Sequence, residues 1–357
     1  MATILDRLFK SRNNRAVAPS IPPRSNTIAT PEVALTLSPV WRAVQIVATT
    51  ASNLGIQTKR YAGSMDQIIE NPVLVNKPSL TLKASAFYYS TYADLALYGN
   101  AYWVKSFDSR GQVNELTPIS ARDVQVEFVN DRINSPRQYT YAANVYSSEQ
   151  IEHIELSPRA GFKKSPSPIE TCSQDIVAAL DLRNYFANWF SSSGIPTGIL
   201  KTNKDLSPED GAVVTANWHA KQANRQIAVL GNGFEFQTVQ LKPSEALFTE
   251  VMNQVTQNIA RLFGMPPRKL GTGVDGTSDT YSNLTDEETA YFRETLQAYT
   301  RPVQEALSAC LPRGQRVEFL WEDLILSKSA RLAMWKDAID AGIITPQYAA
   351  MKEGLDG

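Results

Sequence analysis

Apolar residues recur at helical spacing from Ser244 to Phe263. Leu247, Phe248, Val251, Val255, Ile259, Leu262 and Phe263 share one face, and Asn253, Gln254, Thr256 and Gln257 populate the other. The pattern predicts an amphipathic helix whose polar side is hydrated yet nearly uncharged. Gly264 and the Pro266-Pro267 pair predict its end, because proline lacks the amide donor and restricts the residue before it. A second long helix is predicted through Tyr291, Phe292, Leu296, Tyr299, Val303, Leu307 and Cys310, with Pro302 as a kink. Thr285 and Glu288 read as its capping box, which places Asp286-Glu287-Glu288 in its first turn, where carboxylates favour the helix dipole.

The same patterning organises the rest of the chain. Ser38-Pro39 opens a helix with Val40, Val44, Val47, Ala51 and Leu54 on one face, closed by Gly55. Another runs from about Thr81 to Tyr98, gathers Phe87, Tyr88, Tyr92, Leu95 and Tyr98, and ends at Gly99. The period then changes to two: Ala101 to Phe107, Val124 to Val129, Tyr139 to Tyr141 and Ile151 to Ile154 read as strands, with a turn at Asp108 to Gly111. Ser167-Pro168-Ile169-Glu170 starts a helix bearing Ile169, Cys172, Ile176, Leu180, Phe186, Trp189 and Phe190, which stops at Ser193-Gly194. At about 25 residues it would be about 37 Å long, the length of a strut. The insert Ile195 to Pro243 reads as a strand (Gly198 to Thr202), a helix (Ser207 to Gln222) and two strands (Ile227 to Leu230, Phe234 to Leu241). A strand at Arg316 to Trp321, a helix at Ser329 to Ala341 and a short helix from Thr345-Pro346 complete an α+β chain.

Composition narrows the function classes. The 357 residues are 43% apolar, enough for a large core and for two or three folding units. Net charge is -1 and the pI is near 6.2, which argues against wrapping nucleic acid by bulk charge. Only the arm, residues 1–37, is biased: Arg7, Lys10, Arg12, Arg15 and Arg24 face Asp6, with prolines that prevent a long helix. It reads as a solvated tail, or as a strap over a neighbouring subunit or nucleic acid. Two cysteines, Cys172 and Cys310, on apolar helix faces argue against a disulfide framework and fit a reducing compartment. No apolar run is long enough to span a bilayer, and Met1 to Lys10 lacks the apolar core of a secretory signal, so no membrane partner is expected.

Catalytic motifs are sparse. Gly271-Thr-Gly273-Val-Asp-Gly276 satisfies G-x-G-x-x-G, but a dinucleotide site needs a strand before the loop, and here a helix and two prolines precede it. No G-x-x-x-x-G-K-[ST] loop, zinc-type cysteine pairing or G-x-S-x-G elbow occurs. With two histidines, His153 and His219, a metal cluster or a His-based triad has little to draw on, and His153 inside a strand is expected to be structural. No catalytic residue, cofactor or metal is expected.

Several stretches together resemble the portal proteins of tailed double-stranded-DNA bacteriophages, of the siphovirus type. Leu97-Tyr-Gly-Asn-Ala-Tyr-Trp103 followed by Gly111 and Leu116-Thr-Pro118 is similar to a family segment. So are Ile151-Glu-His-Ile154 with Ser165 to Ile169, and Ile259 to Pro267 with Ser282-Asn283 and Thr295 to Pro302. The resemblance covers about residues 38 to 355, with Lys163-Lys164 standing where the family usually has a glycine. It implies a ring of about twelve subunits around a DNA channel. Residues 38–166 would be the wing, 167–193 and 244–264 the stem helices, and 194–243 a β-rich clip. Residues 265–283 would be the tunnel loop, 284–327 a wing helix and strand, and 328–357 a short helical crown.

The resemblance further implies a non-enzymatic conduit at the portal vertex of the virion head, assembled in the host cytoplasm. Its partners would be passing DNA, the terminase large subunit, the head-tail connector or adaptor, and the major capsid protein. Arg268, Lys269, Asn253, Gln257 and Thr256 become candidates for the DNA channel, with Arg268 and Lys269 alternatively capping the preceding helix. Asp205, Glu209, Asp210, Lys221 and Arg225 become candidates for the clip surface. Two other readings stand beside this one: a soluble nucleotide-binding enzyme using Gly271 to Gly276, and a DNA-binding adaptor using the basic arm.

Overall fold

The computed structural model describes residues 28–61, 63, 66–131, 135–191, 199–202, 207, 209–214, 216, 234–237, 245–272, 281–321 and 328–353. Residues 1–27 of the basic arm, and the strand expected at Ile227 to Leu230, lie outside them.

After a single turn, α1 (Pro31–Ala34), the helix α2 (Ser38–Ser52) buries Val40, Ala43, Val44, Val47, Ala48 and Ala51. These positions form the stripe that its periodicity predicts. Gly55 does not close α2. It opens a strand that the sequence reading missed, β1 (Gly55–Tyr61), which pairs antiparallel with β2 (Asp66–Ile69) and with β11 (Gln315–Leu320). Thr58 is buried in β1 and donates to Asn71 Oδ1 at 2.8 Å, so its hydroxyl is satisfied inside the core. The pairing of β1 with β11 ties the start of the chain to its far end.

After the short turn α3 (Val73–Asn76), the helix α4 (Ala84–Tyr98) packs along α2 and ends at Gly99, whose φ of +69° is the left-handed cap that glycine permits. The chain continues directly into β3 (Asn100–Phe107), which pairs with β4 (Val113–Ile119) and β8 (Ile151–Glu155). Alternation along β3 divides two cores. Ala101 and Trp103 join the helical core with Phe87, Leu95 and Val303, while Tyr102 packs with Ile119, Val126 and Tyr139 under a second sheet. That sheet consists of β5 (Gln125–Phe128), β6 (Arg137–Tyr141) and β7 (Asn144–Ser147). Strands β4 and β7 were not expected from the sequence.

His153, on β8, lies flat on Tyr102 with ring centroids 4.4 Å apart, in the structural role expected of it. Asn100 Oδ1, 3.0 Å from Nε2, is an acceptor, so Nε2 carries the proton and Nδ1 faces the Arg137 guanidinium at 3.2 Å. Burial, followed by the Arg137 and Lys164 charges, lowers the His153 pKa from 6.5 to about 3. Asp94 on α4 moves oppositely: burial raises its carboxyl from 3.8 to about 7, although it accepts from the Ala121 amide at 3.1 Å.

The two shifts have opposite linkage. The neutral histidine contributes stability that is complete above pH 6.5 and is lost as pH falls toward 3. The raised aspartate contributes stability that is complete below pH 3.8 and is lost as pH rises through 7. Between pH 6.5 and 5 the slopes cancel. Asp94→Asn keeps the acceptor and removes one slope, so the unfolding free energy of this variant, measured by urea titration, should fall with acidification by about 1.4 kcal/mol per pH unit more than that of the wild type.

The helix expected over 167–193 is broken near its start. Ser167 caps α5 (Pro168–Thr171) by accepting from the Glu170 amide at 3.2 Å, and then Cys172 (φ -100°, ψ 27°) leaves helical geometry. Thr171 returns its hydroxyl to Ser167 O at 2.7 Å, a back-bond of the kind that bends helices. The continuing helix α6 (Ser173–Ser191) has 19 residues, a strut of about 28 Å instead of 37 Å. Both cysteines are free, and burial pushes the Cys310 thiol up to about 12. The insert retains an antiparallel pair, β9 (Ile199–Thr202) with β10 (Phe234–Gln237), and helical backbone at 209–214.

Candidate functional site

The helix expected from Ser244 appears as α7 (Glu245–Leu262), packed against α2 and α6. Its exposed side presents Glu250, Asn253, Gln254 and Arg261, with Gln257 and Asn258 partly covered. Gln254 donates to Asn258 Oδ1 at 3.0 Å and Arg261 to the same oxygen at 2.7 Å. This strip carries one cation and one anion, so it hydrates well without gripping phosphate. Arg261 lies on this strip beside the expected uncharged positions.

Thr256, expected on that strip, is instead only 8% exposed and faces inward with Ile259, Ala260 and Phe263. Three- and four-residue steps from Met252 through Thr256 to Ile259, Ala260 and Phe263 define the inward stripe. Donation of the Thr256 hydroxyl to Met252 O at 3.0 Å lets a polar residue occupy it. A DNA-facing role for Thr256 does not fit this burial.

The end of α7 follows from its glycine. Gly264 has φ +63°, its amide bonds Arg261 O at 3.0 Å, and the Met265 amide reaches back to Ala260 O at 2.9 Å. A Cβ at Gly264 would lie 2.8 Å from Thr295 Oγ1, whose hydroxyl donates to Gly264 O. The chain then makes a 3₁₀ turn (Pro267–Leu270) that ends at Gly271 with φ +85°. Gly271 therefore follows a helical turn and not a strand, so the dinucleotide-loop context is missing at its first glycine. Residues 273–280, including Gly273 and Gly276, lie outside the described residues.

The second long helix begins earlier than the sequence suggested. It runs as α8 (Tyr281–Ala290), a π-helical segment (Tyr291–Leu296) and α9 (Gln297–Ala309). Pro302 lies inside α9, and the departure from α geometry comes upstream, in the π segment. Since α8 starts at Tyr281, Thr285 and Glu288 are not a capping box, and Asp286 to Glu288 are not in the first turn. The Glu288 carboxylate instead accepts from Lys269 Nζ at 2.7 and 2.8 Å and from Arg268 at 3.1 Å, and Arg268 also pairs with Glu287. Lys269 further sits 4.9 Å from the centre of the Tyr291 ring.

Arg268 and Lys269 are therefore neither a helix cap nor free cations. Two positive groups meet two carboxylates across the base of the loop. The Arg268 side chain is 31% exposed and that of Lys269 20%, so screening by salt is reduced without being removed. The sequence signal available for this latch was the coincidence of Arg268-Lys269 and Glu287-Glu288 at both ends of one glycine-rich loop.

Of the clip candidates, Glu209 and Asp210 are exposed, and Asp210 pairs with Ser207, whose Oγ lies 2.9 Å from its carboxylate and 3.1 Å from its amide. Asp205, Lys221 and Arg225 lie outside the described residues. Among the described residues no group of three or more His, Cys, Asp or Glu is placed to hold a metal ion, and no helix is long and apolar enough to cross a membrane.

This architecture is shared with known proteins. A probable portal protein of Streptomyces phage phiC31 is 22% identical over 341 residues, 89% of this chain and 74% of that protein. The portal protein of Enterobacteria phage HK97 is 23% identical over 275 residues, 74% of this chain and 64% of its own. The neck of a native gene transfer agent particle, computed with C12 symmetry, superposes with a TM-score of 0.63 at 18% identity, covering 90% of this chain and 93% of that one. An HK97 family phage portal protein from Corynebacterium diphtheriae superposes at 0.59 and 17% identity, covering 84% and 97%. The family model for the phage portal protein matches residues 38–354, and this chain belongs to that family.

Proposed function

We propose that copies of this chain form a ring of about twelve subunits at the portal vertex of a phage head, around a channel for double-stranded DNA. The observation that carries this reading is the family match across residues 38–354, which includes both long helices and the loop between them. Residues 38–166 act as the wing, the helices within 167–193 and 244–264 as the stem, and 328–357 as a short crown. Residues 194–243 act as the clip, with Glu209 and Asp210 toward the terminase large subunit during filling and the head-tail connector afterwards. The major capsid protein surrounds the ring.

The near-neutral strip with Asn253, Gln257 and Arg261 suits a surface past which DNA slides, because tight pairing with many phosphates would hold it. The latch of Arg268 and Lys269 to Glu287 and Glu288 suits a loop that is anchored at its base while its tip meets DNA. Nothing in this role requires a cofactor or a catalytic group, in line with a family of structural proteins. Electron microscopy of the purified chain should show rings. Monomers or dimers alone, across a range of salt and protein concentrations, would overturn the assignment.

A further inference from the structure

The segment joining β8 to α5 has a composition found nowhere else in the described wing. Between Glu155 and Glu170 there is no acidic residue, and Arg159, Lys163 and Lys164 fall within six positions. All three are exposed, and none forms an ion pair with a described carboxylate, since Glu155 is taken by Arg137 at 2.6 Å. Phe162 between them is 52% exposed and lies 6.0 Å from the Arg159 guanidinium.

The turn is fixed. The Phe162 amide bonds Arg159 O at 3.1 Å across Gly161, whose φ is +83°, and Arg137 donates to Phe162 O at 3.3 Å. Immediately downstream, Ser165 is held at both its backbone N–H and its C=O by the buried Asn100 side chain. Three cations thus project from a turn whose backbone is already held, so little backbone ordering entropy opposes an anionic ligand.

We infer that this turn is a contact for the phosphate backbone of double-stranded DNA, separate from the channel. The chemistry favours nucleic acid over an acidic protein. Stable protein interfaces centre on an apolar core, and this turn offers a single aromatic ring among point charges, which suits sequence-independent phosphate pairing. The inference rests on the ring reading only for the topology of its test.

Covalently closed circular duplex cannot thread a preassembled ring, so its binding reports contacts outside the channel. Wild-type rings should bind it, and with three phosphates neutralised the affinity should fall about forty-fold between about 50 and 200 mM salt. Rings carrying R159Q, K163Q and K164Q together should lose this binding and its salt dependence. Unchanged binding of the closed circle by the triple variant would overturn the inference, as would wild-type rings that bind poly-glutamate and not the circle. If no rings form, the ring reading fails by itself, and sensitivity of circle binding to the triple substitution still decides this one.

Discussion

Gly99→Ala should destabilise the chain by about 2 to 5 kcal/mol, the sum of a left-handed backbone cost and a steric overlap with no easy relief. Gly99 holds φ +69°, where a side chain costs about 1 to 2 kcal/mol. A Cβ there would lie 2.5 Å from Pro166 O, 3.3 Å from Pro166 C and 3.4 Å from the Pro168 ring. The first of these is a main-chain oxygen, and its segment is pinned on both sides: Ser165 to Asn100, and Ser167 Oγ to Leu97 O at 2.7 Å. Relief would require moving the start of α5 away from the end of α4. Urea denaturation should show the loss as a lower midpoint at an unchanged slope. Gly264→Ala is the informative comparison, because there the obstructing atoms, Oγ1 at 2.8 Å and Cγ2 at 3.2 Å, belong to the Thr295 side chain and not to pinned main chain. That variant should lose clearly less.

The contrast between these glycines shows what was legible in the sequence. Both were read correctly as helix stops, since local chemistry suffices to place a left-handed residue after an apolar stripe. The identity of the atom each glycine makes room for lies 67 and 31 residues away, beyond any local pattern. Strand β1 was missed for a related reason. Gly-Ile-Gln-Thr-Lys-Arg-Tyr has no alternation of apolar residues, because its one fully buried side chain is a threonine satisfied by Asn71. Thr256 misled in the same way, since a hydroxyl bonded within its own helix is buried like an apolar group.

The acidic cluster misled through competing local signals. Thr285 with Glu288 is a valid capping box on paper, and the helix overrides it by starting at Tyr281. What then holds Glu287 and Glu288 is a cross-loop pairing with Arg268 and Lys269, a long-range contact that could be read from charge complementarity and not from helix rules. This changes the expected behaviour of the candidate channel cations. They are already paired, and any phosphate that recruited them would have to compete with carboxylates 2.7 to 3.1 Å away.

Asn100→Ala should cost about 3 to 5 kcal/mol, because it leaves several buried polar groups without partners at once. Asn100 is 2% exposed, and its amide uses its full capacity. Nδ2 donates to Tyr98 O at 2.7 Å and Ser165 O at 2.8 Å, while Oδ1 accepts from the Ser165 amide and from His153 Nε2, both at 3.0 Å. With Ser167 on Leu97 O and the Leu156 amide on Gly99 O at 2.9 Å, it completes the carbonyls that the end of α4 leaves open. Each orphaned group costs about 1 to 3 kcal/mol, and because the four act as one network the losses will not add fully. Asn100→Asp separates hydrogen bonding from volume: it keeps Oδ1 and the shape, yet sets a carboxylate against two carbonyls. It should therefore be at least as damaging as alanine at neutral pH, and should recover relative to alanine on acidification as the carboxyl gains a proton and one donor returns. Urea midpoints for both variants between pH 7 and 5 provide the measurement. A recovery confined to the aspartate variant would place the stability of this seam, between the end of α4 and the start of α5, in the donors of a single amide.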